Sequence, residues 1–134
     1  MTLAVATEVT DDLRSAWTLA LEGLNATRGG PELLADALGE VHDPLADLVA
    51  RGEVRVERRG GELAGFAVVR GSTILGVFVA PAHRGRGVAR AIAAALFAGA
   101  APPRDALALP GDRATKSLYE SLGLKARLLT MRAE

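Results

Sequence analysis

The chain has 134 residues and a mass of 13.9 kDa, enough for one domain and little more. Its 16 Lys+Arg balance 16 Asp+Glu, so no bulk charge draws it to nucleic acid or an anionic membrane, and 49% hydrophobic residues are not the composition of a disordered chain. Cys is absent and His42 and His83 are the only histidines, which excludes disulfides, thiolate nucleophiles, Cys-based metal sites and a His-rich metal cage.

Leu3, Val5 and the alternation to Val9 predict a first strand. Thr10 and Asp11 can cap a helix whose apolar face is Leu13, Trp17, Leu21 and Leu24, and Gly29-Gly30 breaks it. Pro31 opens a second helix carrying Leu33, Leu34, Ala37 and Leu38. Asp43-Pro44 opens a third, with Leu45, Leu48 and Val49 inward and Gly52 as the stop. The period then changes to two. Val54 and Val56 begin a strand, Arg59 to Glu62 a hairpin turn, Leu63 to Val69 a second strand, and Gly71-Ser72 another turn. Thr73 to Val79 is almost continuously apolar, the pattern of a strand covered on both faces. Val88, Ile92 and Leu96 mark a helix ended by Pro102-Pro103. A short strand follows at Ala106 to Leu109, then a helix capped by Asp112 and stopped by Gly123, then a last strand or tight hairpin from Leu124 to Arg132. The order predicts one α/β domain over residues 1–134, a mixed sheet with helices on both faces.

Met1 to Asp12 has no basic segment followed by an apolar run, and Val88 to Ala101 is broken by Arg90 and Gly99 and too short for a bilayer, so the expected location is the cytoplasm. Neither nucleic acid nor membrane is an expected partner.

The chemistry concentrates in Val77 to Ala91. A strand runs into a loop with Arg84, Gly85, Arg86 and Gly87, and the loop opens a helix. The first turn of a helix leaves amide N–H groups unpaired at the positive end of its dipole. Glycine lets a backbone approach an anion closely, and the arginines add charge. Such a site suits a diphosphate. It is not a P-loop, because G-x-x-x-x-G-K-[ST] is absent. It is not a dinucleotide-binding turn either, because Arg90 stands where the third glycine of G-x-G-x-x-G belongs. On glycine and arginine content alone, a plain glycine-rich turn with solvent-facing arginines is the better account.

The wider spelling resembles the acetyl-CoA-binding signature of the GNAT N-acetyltransferase superfamily, an apolar strand, V-x-P, then R/Q-x-x-G-x-G/A opening a helix. Val79-Ala80-Pro81 matches the first part, and Arg84, Gly87 and Ala89 the defined positions of the second. The family also shows N-x-x-A-x-x-l-Y-e-k-l-G-F in its last helix. Asp112 to Leu124 matches that pattern at Tyr119, Leu122 and Gly123, with Asp112 for Asn, Thr115 for Ala and Leu124 for Phe. The element order agrees over nearly the whole chain.

The resemblance implies a centrally splayed sheet with a shortened C-terminal strand region. Strands ending near Val79 and Leu109 would part to admit the pantetheine arm, which pairs with backbone around Phe78 and Val79. The diphosphate would sit on the amides of Arg84, Gly85, Arg86, Gly87, Val88 and Ala89. Asp112 either contacts the cofactor or only caps its helix. Tyr119, the only tyrosine, stands at the family's general-acid position, and is otherwise a core residue. The implied function is acetyl transfer from acetyl-CoA to an amine by direct attack, without metal, the thioester carbonyl being polarised by a backbone N–H near Val79. Many relatives carry a carboxylate where Thr73 stands, and the strand Thr73 to Val79 has none. A held water, Glu22, Glu40 or His42 are the substitutes for a base, and the alternative is a non-catalytic acyl-CoA-binding module that has lost its base. His83 is expected to face the cofactor or solvent. An open edge near the C-terminus makes a homodimer plausible.

Overall fold

Thr10 starts the first long helix by accepting a hydrogen bond from the Leu13 N–H at 3.4 Å, and Asp12 in its first turn pairs with Arg58 at 2.7 Å. Asp43 caps the third helix through the Ala46 N–H, and Asp112 caps the last through the Thr115 N–H. In this computed structural model, which describes residues 3–131 and 133, the elements run β1 (Ala4–Val5), α1 (Asp11–Asn25), α2 (Gly30–Leu38), α3 (Pro44–Ala50), β2 (Val54–Arg59), β3 (Glu62–Arg70), β4 (Thr73–Val79), a single 3₁₀ turn (Pro81–His83), α4 (Val88–Phe97), β5 (Asp105–Ala106) and α5 (Arg113–Ser121).

The five strands lie in chain order. The first four pair antiparallel, and β5 joins β4 in parallel. Alternation along β3, interrupted by a bulge at Ala64 where the pairing steps from Arg58↔Leu63 to Glu57↔Gly65, sends its side chains to two layers. Phe66 and Val68 meet Leu13, Trp17, Leu45 and Leu48 from α1 and α3, while Ala64 and Ala67 on the other face meet Val88 and Ile92 from α4. Each fully buried aliphatic side chain contributes about 1.5–3 kcal/mol, so the two layers together hold the sheet that carries the site. Between Val68↔Gly76 and Val69↔Ile74 the register slips by one residue, which leaves Leu75 as the extra residue of a bulge in β4. Gly30 closes the α1–α2 turn. A Cβ there would lie 1.7 Å from the Leu24 carbonyl oxygen, so only glycine lets α2 fold back this tightly.

Three expected strands are shorter than their patterns. The first reaches only Ala4–Val5, although the Ala6 N–H still donates to Val54 O at 2.9 Å before the chain turns toward its helix cap. The strand expected at Ala106 to Leu109 is Asp105–Ala106. The Leu107 N–H donates to Ile74 O at 2.9 Å, and there the pairing with β4 stops. Nor does a strand form in the described part of Leu124 to Arg132. Leu124 to Met131 has no regular structure, Leu128 is 96% exposed, and Arg132 lies outside the described residues. With β5 only two residues long, that segment has no neighbouring ladder to extend. No helix among the described residues is long and apolar enough to cross a membrane.

Candidate active site

Gly85 and Gly87 both lie in the left-handed region, at φ 74° and 73°, and a Cβ on either would meet nothing within 4 Å. The backbone there is presented to open space in a conformation that side-chain-bearing residues rarely adopt. The first bond of the α4 ladder is donated by the Ala91 N–H to Gly87 O at 3.0 Å. The N–H groups of Val88, Ala89 and Arg90 therefore precede the ladder and are available to an anion. This cradle fits a diphosphate on chemistry and on clearance.

The two arginines of the loop differ. Arg86 is exposed. Arg84 is not simply a solvent-facing charge: its Nε donates to Val79 O at 3.3 Å and its guanidinium stacks 5.6 Å from the centre of the Phe78 ring. His83 departs from expectation as well. It is buried, with Nε2 3.9 Å from a carboxylate oxygen of the exposed Glu62.

From the cradle an open strand edge leads inward. β4 pairs with β3 along its length, but with β5 only at Thr73 and Ile74. Leu75 to Val79 therefore present one unpaired edge, and Phe78 and Val79 stand at its cradle end. The parting of β4 from β5 after Ile74 is the splay that the two parallel strands were expected to show.

The open edge borders a half-open pocket of about 380 Å³ lined from α1, α2, α3, β3, β4 and the turn before α5. Its floor is an aromatic row. Trp17 packs on Phe66 with ring centres 6.3 Å apart, and Phe66 on Phe78 at 5.5 Å. Leu33, Leu34 and Leu38 of α2 close the far side, and Leu75 of the bulge faces them. Gly111 and Asp112 form the rim. Asp112 is thus both helix cap and cavity wall.

Tyr119 lies across the sheet from this cavity, packed with Val69, Ile74 and Ala93, and is 4% exposed. Its hydroxyl is buried and has no hydrogen-bond partner among the described residues. A native fold seldom leaves such a group unpaired, because the lost hydration costs about 1–3 kcal/mol. Burial, and then the nearby Asp112 carboxylate, push the phenol up to about 12. As Tyr119 is the only tyrosine, the expected result is a single tyrosinate absorbance transition near that value, well above an ordinary phenol. A transition near the ordinary value of about 10 would mean that the hydroxyl reaches water.

The three side chains considered as bases are not brought to the site. Glu22, Glu40 and His42 are exposed and none lines the cavity. What the sequence concealed is the cavity itself. Trp17, Leu24 and Leu34 read as ordinary core positions of amphipathic helices, and the bulge at Leu75 leaves no mark in an apolar run. The one available signal was Gly29-Gly30, whose tight turn brings α2 over the sheet. No group of three or more potential metal ligands occurs among the described residues.

No curated protein matches the chain. A crystal structure of a mutant of the BH1408 protein from Bacillus halodurans is similar in fold, with a TM-score of 0.68 and 19% identity over 100% of this chain and 99% of that one. The family model of the acetyltransferase (GNAT) domain matches residues 48–125, a stretch that holds the bulged strand, the glycine cradle and the Tyr119 helix. Since that match spans more than half of the sequence, the chain belongs to the GNAT acetyltransferase family.

Proposed function

We propose that the protein transfers an acetyl group from acetyl-CoA to an amine by direct attack. The observation that carries this reading is the open edge of β4, which runs from an amide-lined anion cradle to a half-open apolar pocket. Acetyl-CoA supplies the thioester. The amides from Arg84 to Ala89 hold its diphosphate, and the backbone around Phe78 and Val79 pairs with the pantetheine amides. Arg84 gives up Val79 O to that pairing and keeps its stacking on Phe78. A β4 backbone N–H polarises the thioester carbonyl. The amine nitrogen attacks the carbonyl carbon, a C–N bond forms and the C–S bond breaks. The bound ammonium gives one proton to water before attack, the acylated nitrogen gives up a second after it, and the sulfur departs with its electron pair.

Tyr119 packs on Ile74, where β4 and β5 part, and from that side of the sheet donates to the departing sulfur. A phenol near 12 loses its proton to a thiolate of ordinary basicity, about 8.5, only uphill. Its value to the reaction is therefore a hydrogen bond that strengthens as charge grows on sulfur, and complete proton transfer is secondary. The absence of a carboxylate at Thr73 supports a second reading, a binding module without turnover. The two are separated by a thiol-release assay with acetyl-CoA across a panel of amines, since only the transferase releases CoA in proportion to acetylated amine.

The cradle makes its own prediction. Arg84→Ala combined with Arg86→Ala weakens CoA binding by about tenfold, measured calorimetrically. The exposed Arg86 accounts for the salt-dependent share. The Arg84 share persists at high salt because stacking is not screened. A loss that disappears entirely at high salt would remove the packing role of Arg84.

A further inference from the structure

The walls of the cavity say what kind of amine it accepts. Trp17, Leu24, Leu34, Leu38, Phe66 and Phe78 give it an apolar interior, and no Lys or Arg lines it among the described residues. Among the described residues Asp112 is the one charged side chain on the wall. The Thr27 hydroxyl, also on the wall, already donates to Gly23 O at 2.7 Å. A volume of about 380 Å³ is in the range of small-molecule sites and far exceeds an acetyl group.

We infer that the acceptor is a small primary amine on an apolar body, its ammonium held at the Asp112 carboxylate and its hydrocarbon lying over Trp17, Phe66 and Phe78. This rests on the transferase reading and narrows it. An amino-acid carboxylate would enter without a cation to meet it, and a polyamine or aminoglycoside would bury several polar groups against leucines. Asp112 has capacity for the ammonium. It accepts from the Thr115 N–H at 3.0 Å and from the Thr115 hydroxyl, and a carboxylate offers about four acceptor positions. The Asp in place of the family's usual Asn thus gains a role at the cavity side of its helix cap.

The test measures both amine binding to CoA-loaded protein, by calorimetry, and thiol release from acetyl-CoA. The probes are butylamine, hexylamine and octylamine, with lysine, spermidine and an aminoglycoside as polar comparators. Affinity and kcat/KM rise about fourfold per methylene along the alkyl series, and the polar comparators lie below the series. Asp112→Asn, which keeps the helix cap, lowers amine affinity at least tenfold and leaves the chain-length slope intact. Gly23→Leu adds bulk at a wall position where a Cβ meets nothing within 4 Å, and it removes the gain for the longer amines while CoA still binds.

Three results overturn the inference: polar amines turning over faster than alkylamines, no slope with chain length, or a gain from hexanoyl-CoA over acetyl-CoA in place of a gain from longer amines. The last would make the cavity an acyl pocket. Should alkylamines bind with the expected slope and Asp112 dependence but release no thiol, the transferase reading fails while the amine site stands.

Discussion

Gly87→Val removes measurable CoA binding, a loss of at least about 10²-fold, while the protein stays folded. Gly87 holds φ 73° at the entry to α4, and a side chain there would project where a Cβ now meets open space. Valine therefore acts on the protein only through backbone strain, about 1–2 kcal/mol in this region, and acts on a ligand by standing between it and the amides. Gly52→Val is the matched control. Gly52 has φ 70° and equally open surroundings, but lies in the turn between α3 and β2. It shares the strain and lacks the ligand, so it lowers the melting temperature similarly and leaves CoA affinity unchanged. Equal CoA affinity in the two variants would mean that the cradle does not hold the diphosphate.

Tyr119→Phe slows turnover about 10²-fold with CoA affinity nearly unchanged, corresponding to about 2.7 kcal/mol of transition-state stabilisation. It also leaves the fold at least as stable. The hydroxyl is buried without a partner, so replacing it with hydrogen relieves an unmet desolvation cost of about 1–3 kcal/mol. A slower but no less stable variant is the signature of a group kept for chemistry. Thermal unfolding and steady-state rates on the same preparation decide it. Lower stability with unaltered turnover would make Tyr119 a core residue and nothing more.

Much of this was legible in the residues because local rules agreed. Asp43-Pro44 and Asp112 announced helix starts that the structure keeps, and the change to period two at Val54 marked the sheet correctly. Gly85 and Gly87 were legible because glycines between a strand and a helix carry backbone meaning that other residues cannot. The parts that stayed hidden depend on contacts distant in sequence. Leu107 to Leu109 spells a strand as well as Ala106 does, yet β5 ends where its neighbour diverges. Leu128 and Leu129 alternate with nothing and have no ladder to join. The cavity depends on how α2 returns over β4, which no single helical face encodes. The environment of Tyr119 is another such case. The sequence placed the residue, but only the packing of β4, α4 and α5 around it reveals an unpaired hydroxyl with a raised pKa.

Acetyl transfer to an amine is read most plainly from product stoichiometry. Protein is incubated with acetyl-CoA and hexylamine, and free CoA thiol and N-acetylhexylamine are quantified by mass spectrometry over the same time course. The account predicts equimolar appearance of the two, proportional to protein concentration and about 10²-fold slower with Tyr119→Phe. CoA thiol appearing without acetylated amine, or tight CoA binding with neither product across the whole amine panel, would contradict it.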